Sequence, residues 1–512
     1  MVKLGSSASS DAHSVDFDYE YGVALSHVER WEEARTVLQS ASRRAPHDKR
    51  FPIELAGVAF KQQNNPRAIS YLRHALRLDP EDAYAKEFLA TVYFLQGNLE
   101  AALKYWNALH KPWIAQARIE PALHVHPGLL DHAFAFAPES LLSFEELRTT
   151  EARLRQLEIF SSYRLDLLAR TDGKFDTVFR AQELNGFGNT KTEAALRLLR
   201  GLPFQEVDAG YFNLARSAIN LTFKIRWDPD KRWTSAAMSR PLAHDPRWRF
   251  HLRAGLRDEN WQIVPSFAGP ATILAALNLR REEFSAEISR LSGSRWCWST
   301  GAELSHRDYR NVFAGTALTT QLLAQGTQLK QTAKLGYELW RSPERRINLS
   351  SEVSFQAGRL WSKSAENFER AQASLETHWF PKSSGDDFET LWRIRTGKTF
   401  GQIPFDELLM VGLERDNNLW LRAHIGTRDG RKGSAPLGRD YFLSNWETDK
   451  NIYSNGFFSV KLGPFVDVGK IGDSSAALGA KEWLWDIGVQ TKLRVLGFGV
   501  TVSYGKDLRR GN

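Results

Sequence analysis

The side chains that most often do chemistry are scattered in this chain. Its 13 histidines show no metal-ligand spacing. His124 and His126, beside Pro127, form the closest pair, and two lone histidines at i, i+2 are more often surface residues than ligands. The single cysteine, Cys297, excludes a disulfide framework and a cysteine-based zinc site. No Gly-x-Ser-x-Gly elbow, His-Glu-x-x-His pair or phosphate-cradling glycine loop occurs. The expectation is a protein that is not an enzyme, with no metal and no cofactor. What stands out instead is charge at every second position. Arg249, Arg253 and Arg257 share one face of an alternating stretch, with no acidic residue between them on that face. Such an unneutralised row suits water better than a dry core.

Several elements must carry these charges. At ~150 residues per domain, 512 residues suggest roughly three domains. Hydrophobic content of 42% is enough for a buried core, and 68 − 60 gives a net charge of +8. The basic residues interleave with apolar ones rather than forming a phosphate-binding face, so no nucleic-acid partner is expected. Seventeen Trp and 30 Phe against three Met is a heavy aromatic load. No stretch approaches the ~18 uncharged apolar residues of a spanning helix, which leaves a membrane β-barrel open. Met1 to Asp18 has no basic segment followed by an apolar one, so no signal peptide is read there.

A period of 34 residues runs through the first hundred. Ala34, Ala68 and Ala102 are so spaced, as are Pro46 and Pro80, Leu38, Leu72 and Trp106, and Ala41, Ala75 and Leu109. Gly22, Ala56 and Ala90 take the small position where two helices cross. The run Ser70 to Pro80 reads as a helix stopped by its proline. This resembles the tetratricopeptide repeat (TPR), three copies over residues 15–112, which implies six helices stacked in a short arc. The concave side would bind peptides or partner proteins, or serve only as a solvated scaffold.

Pro121, Pro127 and Pro138 then mark a linker-like stretch. Ser143 to Ile159 reads as a helix capped by Ser143, with Leu147, Leu154 and Leu157 on one side. Two strands follow, Tyr163–Ala169 and Phe175–Glu183. A helix and hairpin in this position resemble a polypeptide-transport-associated (POTRA) domain over residues 128–185.

From about residue 190 the period is two. Ile219, Leu221, Phe223, Ile225 and Trp227 alternate with Asn220, Thr222, Lys224 and Arg226. Trp248, Phe250, Leu252, Ala254 and Leu256 alternate with the arginine row, and Ala333, Leu335, Tyr337 and Leu339 repeat the pattern. A soluble sandwich also alternates. Charged inner faces and Trp227, Trp233, Trp248, Trp261 and Trp340 near strand ends point instead to a water-lined barrel with an aromatic girdle. At ~20 residues per strand and connection, 320 residues make about sixteen strands, a number that can close.

Five blocks complete the pattern: Ile403-Pro404-Phe405, Leu413, Leu421-Arg422-Ala423-His424, Tyr441 to Glu447, and Phe465-Val466-Asp467-Val468-Gly469. Their order and spacing resemble the bacterial surface antigen superfamily of outer-membrane insertases and translocators, with its BamA-like and two-partner-secretion-transporter-like barrels. The resemblance implies a loop between strands eleven and twelve that folds into the barrel. Arg422 at its tip would pair with Glu447 of strand thirteen and Asp467 of strand fourteen, locking the loop. Phe465 and Gly469 belong to the strand motif. The family's glycine and aromatic are Ala423 and His424 here, and alanine would be strained if its position needs positive φ. Tyr211-Phe212-Asn213-Leu214 resembles the first strand, which pairs weakly with the last. Trp485–Leu496 and Gly499–Tyr504 would be the last two strands, with Gly499, Val502 and Tyr504 resembling the sorting signal. That signal's terminal aromatic is replaced by Arg509-Arg510-Gly511-Asn512, so the chain is either truncated or carries its signal internally.

The expected whole is an α+β multidomain protein: TPR repeats at 15–112, a POTRA-like module at 128–185 and an antiparallel transmembrane barrel at 190–512. The resemblance implies an outer-membrane protein that inserts or translocates polypeptides. Its partners would be unfolded or secreted clients, outer-membrane lipids and periplasmic proteins reached by the TPR groove. A dedicated secretion pore or lipid conduit is one alternative. A structural porin or adhesin with a periplasmic TPR anchor is another.

Overall fold

A computed structural model describes residues 14–188, 190–264, 272–362, 365–382, 385–455, 458–475, 478–495 and 498–508. Most of the Met1–Asp18 start, Leu496 and Arg509–Asn512 lie outside the described residues.

Among the described residues, six helices come first: α1 (Val15–His27), α2 (Trp31–Arg44), α3 (Arg50–Lys61), α4 (Asn65–Leu78), α5 (Ala83–Leu95) and α6 (Leu99–Asn107). Ser14, Asn64, Asp82 and Asn98 cap four of them, each side chain accepting a backbone N–H three residues on. Ala34, Ala56, Ala68, Ala90 and Ala102 are fully buried between helices. A Cβ at Gly22 would stand 2.6 Å from the Leu38 side chain, so only glycine allows that crossing. Pro46 and Pro80 lie in the turns after α2 and α4.

An α/β unit follows: β1 (Trp113–Ile119), α7 (Pro127–Ala133), β2 (Ser140–Leu141), α8 (Phe144–Leu157), β3 (Phe160–Ala169) and β4 (Phe175–Glu183). Its sheet runs β2-β1-β4-β3, with β1 parallel to β4. Ser143 and Glu146 close a reciprocal capping box on α8. The unit begins ahead of residue 128, inside the stretch that reads as linker. The strand is hard to see in sequence because β1 fully buries only Ile114, which leaves no alternating signature between the flanking prolines.

Residues 190–205 do not start a strand. Thr190 caps the helix α9 (Lys191–Leu199), and a 3-10 turn follows. The main sheet then takes β5 (Glu206–Leu214), β6 (Ile219–Asp228), β7 (Lys231–Leu242), β8 (Asp245–Ile263), β9 (Ala275–Ser292), β10 (Trp296–Arg310), β11 (Gly326–Ser342), β12 (Ile347–Trp361), β13 (Ala365–Trp379) and β14 (Phe388–Gly401). A loop carries the short β15 (Leu409–Met410), β16 (Thr427–Arg428), β17 (Arg431–Lys432) and β18 (Leu437–Gly438). The sheet ends with β19 (Asp440–Ser454), β20 (Phe458–Gly472), β21 (Leu484–Val495) and β22 (Phe498–Asp507).

Among the described residues sixteen strands share this sheet. Fourteen form one antiparallel ladder from β5 to β22, and the β16–β17 pair joins it through β8. The loop therefore lies between the tenth and eleventh strands of the ladder, one earlier than the resemblance implies. Among the described residues no backbone pairing joins β5 to β22. On that edge β5 meets Gly186, whose backbone N–H and C=O pair with Phe212, and α9 follows there instead of a strand.

The two faces of the ladder differ in chemistry. On β6, Ile225 is 52% exposed while Arg226, its neighbour, is 7% exposed. Along the belt most apolar residues point outward and most charges point inward. Trp248 to Leu256 spans about 26 Å of β8 at ~3.3 Å per residue, which a tilt near 40° shortens to about 20 Å, comparable to the ~25 Å apolar band of membrane barrels. Trp227 and Trp340 lie on this outer belt. Trp233 and Trp261 turn inward: Lys224 and Arg257 sit 4.9 and 4.4 Å from the Trp233 ring centroid, and Trp261 packs edge-on against Phe405. The arginine row is not unneutralised either. Arg257 meets Asp416 at 3.4 Å, Arg253 lies 3.7 Å from Glu283, and Arg249 meets Glu158 at 2.8 Å. These partners come from distant segments, so no local reading could supply them.

The N-terminal units dock on the rim of short turns, while the long connections occupy the other rim. Arg249, 1% exposed, donates to the carbonyls of Gln156 (2.7 Å) and Leu157 (3.0 Å) at the end of α8. At the β11–β12 turn, Asn98 donates to the Pro343 carbonyl (2.9 Å), Arg341 to Glu100 (2.8 Å) and Lys104 to Glu344 (2.5 Å). Burial alone would lift the Glu344 carboxyl, but the Lys104 ammonium and the backbone hold it below the usual range. Its contribution to docking is then present above about pH 4.3 and lost as pH falls through the lower docked value. Arg249→Met should leave the α8 carbonyls unpaired and cost about 1–3 kcal/mol, read as earlier thermal release of the α/β unit and faster proteolysis near residue 185. Unchanged melting and proteolysis would disprove the fastening role.

Candidate functional site

The site is built by the residue 402–439 loop, which enters the space enclosed by the sheet and touches its inner face on several sides. It begins with Phe405-Asp406-Glu407, a single 3-10 turn. Asp406 meets Arg281 at 2.6 Å and Arg307 at 3.3 Å and accepts the Tyr309 hydroxyl at 2.8 Å. Glu407 meets Lys330 at 3.1 Å and accepts the Gln328 amide at 3.0 Å, while its backbone carbonyl accepts from Arg370. These partners lie on β9, β10, β11 and β13. Phe405 itself is buried with Ile403, Ile263, Leu277 and Leu437 in an apolar plug.

The loop then reaches the opposite wall. Residues 421–424 form a turn in which the His424 N–H donates to the Leu421 carbonyl at 3.1 Å. Arg422 Nε and Nη2 donate to the two oxygens of Asp467 at 2.9 and 2.8 Å. Its Nη1 donates to Glu447 at 2.7 Å and Gln490 at 2.5 Å. The guanidinium also lies 4.0 Å above the Phe465 ring centroid. The structure thus brings Arg422, Glu447, Asp467 and Phe465 together, with Glu447 on β19 and Asp467 on β20, the eleventh and twelfth strands of the ladder.

The wall around this arginine has a regular construction. Asn445, Asp467, Asp486 and Asp507 stand directly opposite one another on β19, β20, β21 and β22. Three facing carboxylates repel, and the loop tip supplies what they lack. Arg422 covers Asp467. Asp486 accepts the Ala423 N–H at 2.7 Å and lies 3.0 Å from His424 Nδ1. His424 Nε2 faces Asp507 at 3.7 Å. In the adjacent row Phe465 stands opposite Gly488, and Gly488 opposite Gly505. A Cβ at Gly488 or Gly505 would come within 2.7 or 3.2 Å of the Phe465 ring. Gly469 similarly makes room for Leu421, which a Cβ would meet at 3.1 Å. Ala423 stays out of the left-handed region, so alanine carries no backbone strain there.

A third contact returns the loop to the early strands: Lys432 meets Glu259 at 2.8 Å and also pairs with Asp416. Sequence reasoning missed Asp406, Glu407, Asp486, Asp507 and Lys432. The signal for the aspartates was present as Asp467-Val-Gly469 and Asp486-Ile-Gly488 on adjacent strands. Of the carboxyl-terminal residues, Gly499, Val502 and Tyr504 lie on β22, where Val502 and Tyr504 are 60% and 76% exposed on the outer face. They do not join the loop site.

The comparisons define a class by fold alone: tetratricopeptide repeats joined to a barrel with the fold of CdiB. Residues 19–75 and 53–118 match the tetratricopeptide repeat family. CdiB from Escherichia coli is similar over 78% of this chain and 73% of that chain, at 12% identity and a TM-score of 0.50. CdiB from Acinetobacter baumannii (11% identity, 80% and 78% coverage, TM-score 0.46) and BamA from Haemophilus ducreyi lacking POTRA domains 1-3 (13%, 77% and 81%, 0.44) are also similar. No curated protein sequence matches the chain.

Arg422→Ala should strand a buried carboxylate row at a cost of about 3–5 kcal/mol. The expected readout is faster trypsin cleavage in the folded barrel at Arg415 or Arg431, exposed sites whose backbone the pinned loop holds in one conformation. Equal protection in wild type and variant would show that the arginine does not hold the loop.

Proposed function

We propose that this protein is an outer-membrane translocator or insertase whose barrel handles polypeptides and whose N-terminal units, in the periplasm, receive them. The observation that carries the reading is the infolded loop. It fills the lumen and is held by ion pairs, not covalently, so it can be displaced. The outward apolar belt supports a bilayer setting, because a ladder with charges inside and Phe, Ile and Trp outside is stable in lipid.

Client capture has a physical basis in the N-terminal units. The α/β unit has the strand and helix order of a POTRA-like module, and β3 is its edge strand, ten residues long and free of proline. The free side of β3 borders a cavity of about 820 Å³, walled also by the α5–α6 turn and the β11–β12 turn. An extended client segment adds to such an edge through backbone hydrogen bonds, with the exposed Leu168 offering an apolar contact. The TPR array would present a client or partner to the same cavity. No catalytic step is required, and no cofactor enters. The free energy comes from burying client apolar surface and pairing its backbone.

A reversible lock tests the reading. In a Cys297→Ser background, Lys432→Cys and Trp261→Cys place two thiols where β17 of the loop pairs with β8. Oxidation should change the secreted or outer-membrane protein pattern of cells that depend on the variant, and reductant should restore it. A pattern indifferent to oxidation, with the disulfide verified, would favour a static pore. Absence of a heat-modifiable band on gels would remove the barrel itself.

A further inference from the structure

The outer face carries one cation whose setting differs from all the charges facing the lumen. Arg290 lies on β9, two residues before the strand ends at Ser292, on the rim where the N-terminal units dock. The turn that follows is fixed there by Ser294, whose hydroxyl donates to Glu145 of α8 at 2.6 Å. By register Arg290 stands between Trp248 of β8 and Trp298 of β10. Those two rings meet edge to face at 5.6 Å, and the guanidinium lies 4.8 Å from the Trp248 centroid. One strand further, Trp296 stacks on Tyr337 at 4.2 Å, and Arg295 lies 5.3 Å from the same tyrosine.

Every lumen arginine described above has a carboxylate or carbonyl acceptor. Arg290 has none: among the described residues it makes no ion pair and no hydrogen bond, and its Nε is buried without an acceptor. Its polar partner must therefore come from outside the chain. The strand places it at the edge of the apolar belt, where an arginine stem can rise toward the headgroup layer. The flanking indoles are the side chains that favour that layer. A guanidinium offers paired N–H donors to phosphate oxygens. Lacking a carboxylate, the site keeps its full positive charge, which favours an anionic headgroup over a zwitterionic one.

We propose that Arg290, framed by Trp248 and Trp298, binds the phosphate of an anionic phospholipid in the leaflet nearest the N-terminal units. The inference rests on the membrane reading above, and adds a defined lipid site to it. Bound there, the lipid lies beside the turn that holds α8. It would join leaflet composition to the seating of the α/β unit.

The full chain in micelles, mixed with phosphatidylglycerol and phosphatidylcholine of distinct mass, can be examined by native mass spectrometry. Wild type should retain one phosphatidylglycerol at least five-fold more than phosphatidylcholine. Arg290→Gln should lose that preference, and Arg290→Lys should keep part of it. Equal retention of both lipids by wild type, or an unchanged preference in Arg290→Gln, would overturn the site. Displacement of the lipid by millimolar inorganic phosphate would reassign it to free anions and also overturn the proposal. Quenching of tryptophan by brominated phosphatidylcholine in bilayers separates the two levels. Quenching without headgroup preference sinks only this site, whereas no quenching sinks the membrane reading on which it rests.

Discussion

Three aspartates face one another across adjacent strands, two of them fully buried and the third, Asp507, half-buried. Left alone, the Asp467, Asp486 and Asp507 row would push β20, β21 and β22 apart. It is tolerable because a loop from the other side of the barrel brings Arg422, the Ala423 N–H and His424 to meet it. The row and the loop tip are each unfavourable without the other: one is uncompensated negative charge, the other a buried guanidinium. This mutual need explains why Gly469, Gly488 and Gly505 are glycines. The wall must lie close enough for short, charge-assisted bonds, and the Phe465 ring must still fit beneath the arginine.

The alternating strands were readable because the outer and inner faces of the ladder carry opposite chemistry at every second residue, and the repeat helices because their spacing recurs. Arg422, Glu447 and Asp467 were reachable only through a family resemblance; nothing in their local sequence pairs them. Other parts resisted for specific reasons. β1 buries little beyond Ile114 and so has no periodic trace. Lys191–Leu199 has a good cap at Thr190 and becomes a helix where a strand was expected. Arg249 and Arg257 read as unneutralised because Glu158 and Asp416 are far away in sequence. Trp233 and Trp261 read as girdle residues because composition does not reveal parity, and only the strand register turns them inward.

The N-terminal units and the barrel are also less separate than a linear division suggests. Arg249, a lumen-phase residue, completes the end of α8, and the β11–β12 turn is held by Asn98, Glu100 and Lys104. The cavity bordered by β3 exists only because all three parts meet. A strand arriving there would lie against the helical array and a barrel turn at once.

Seen as mechanics, the loop is a strut. Asp406 and Glu407 are seated on one wall, Arg422 on the opposite wall, and fewer than twenty residues separate them. The girth of the cylinder is therefore set by a tether of fixed reach. Any widening must break one footing while the other still holds, so relaxation is asymmetric and proceeds in order. The nest of Arg281, Arg307, Lys330 and Arg370 is matched by four acids, Asp406 and Glu407 of the loop and Glu283 and Glu303 of the wall. The tip, by contrast, carries one guanidinium against several carboxylates, so the two ends differ in how ionic strength and incoming charge would loosen them.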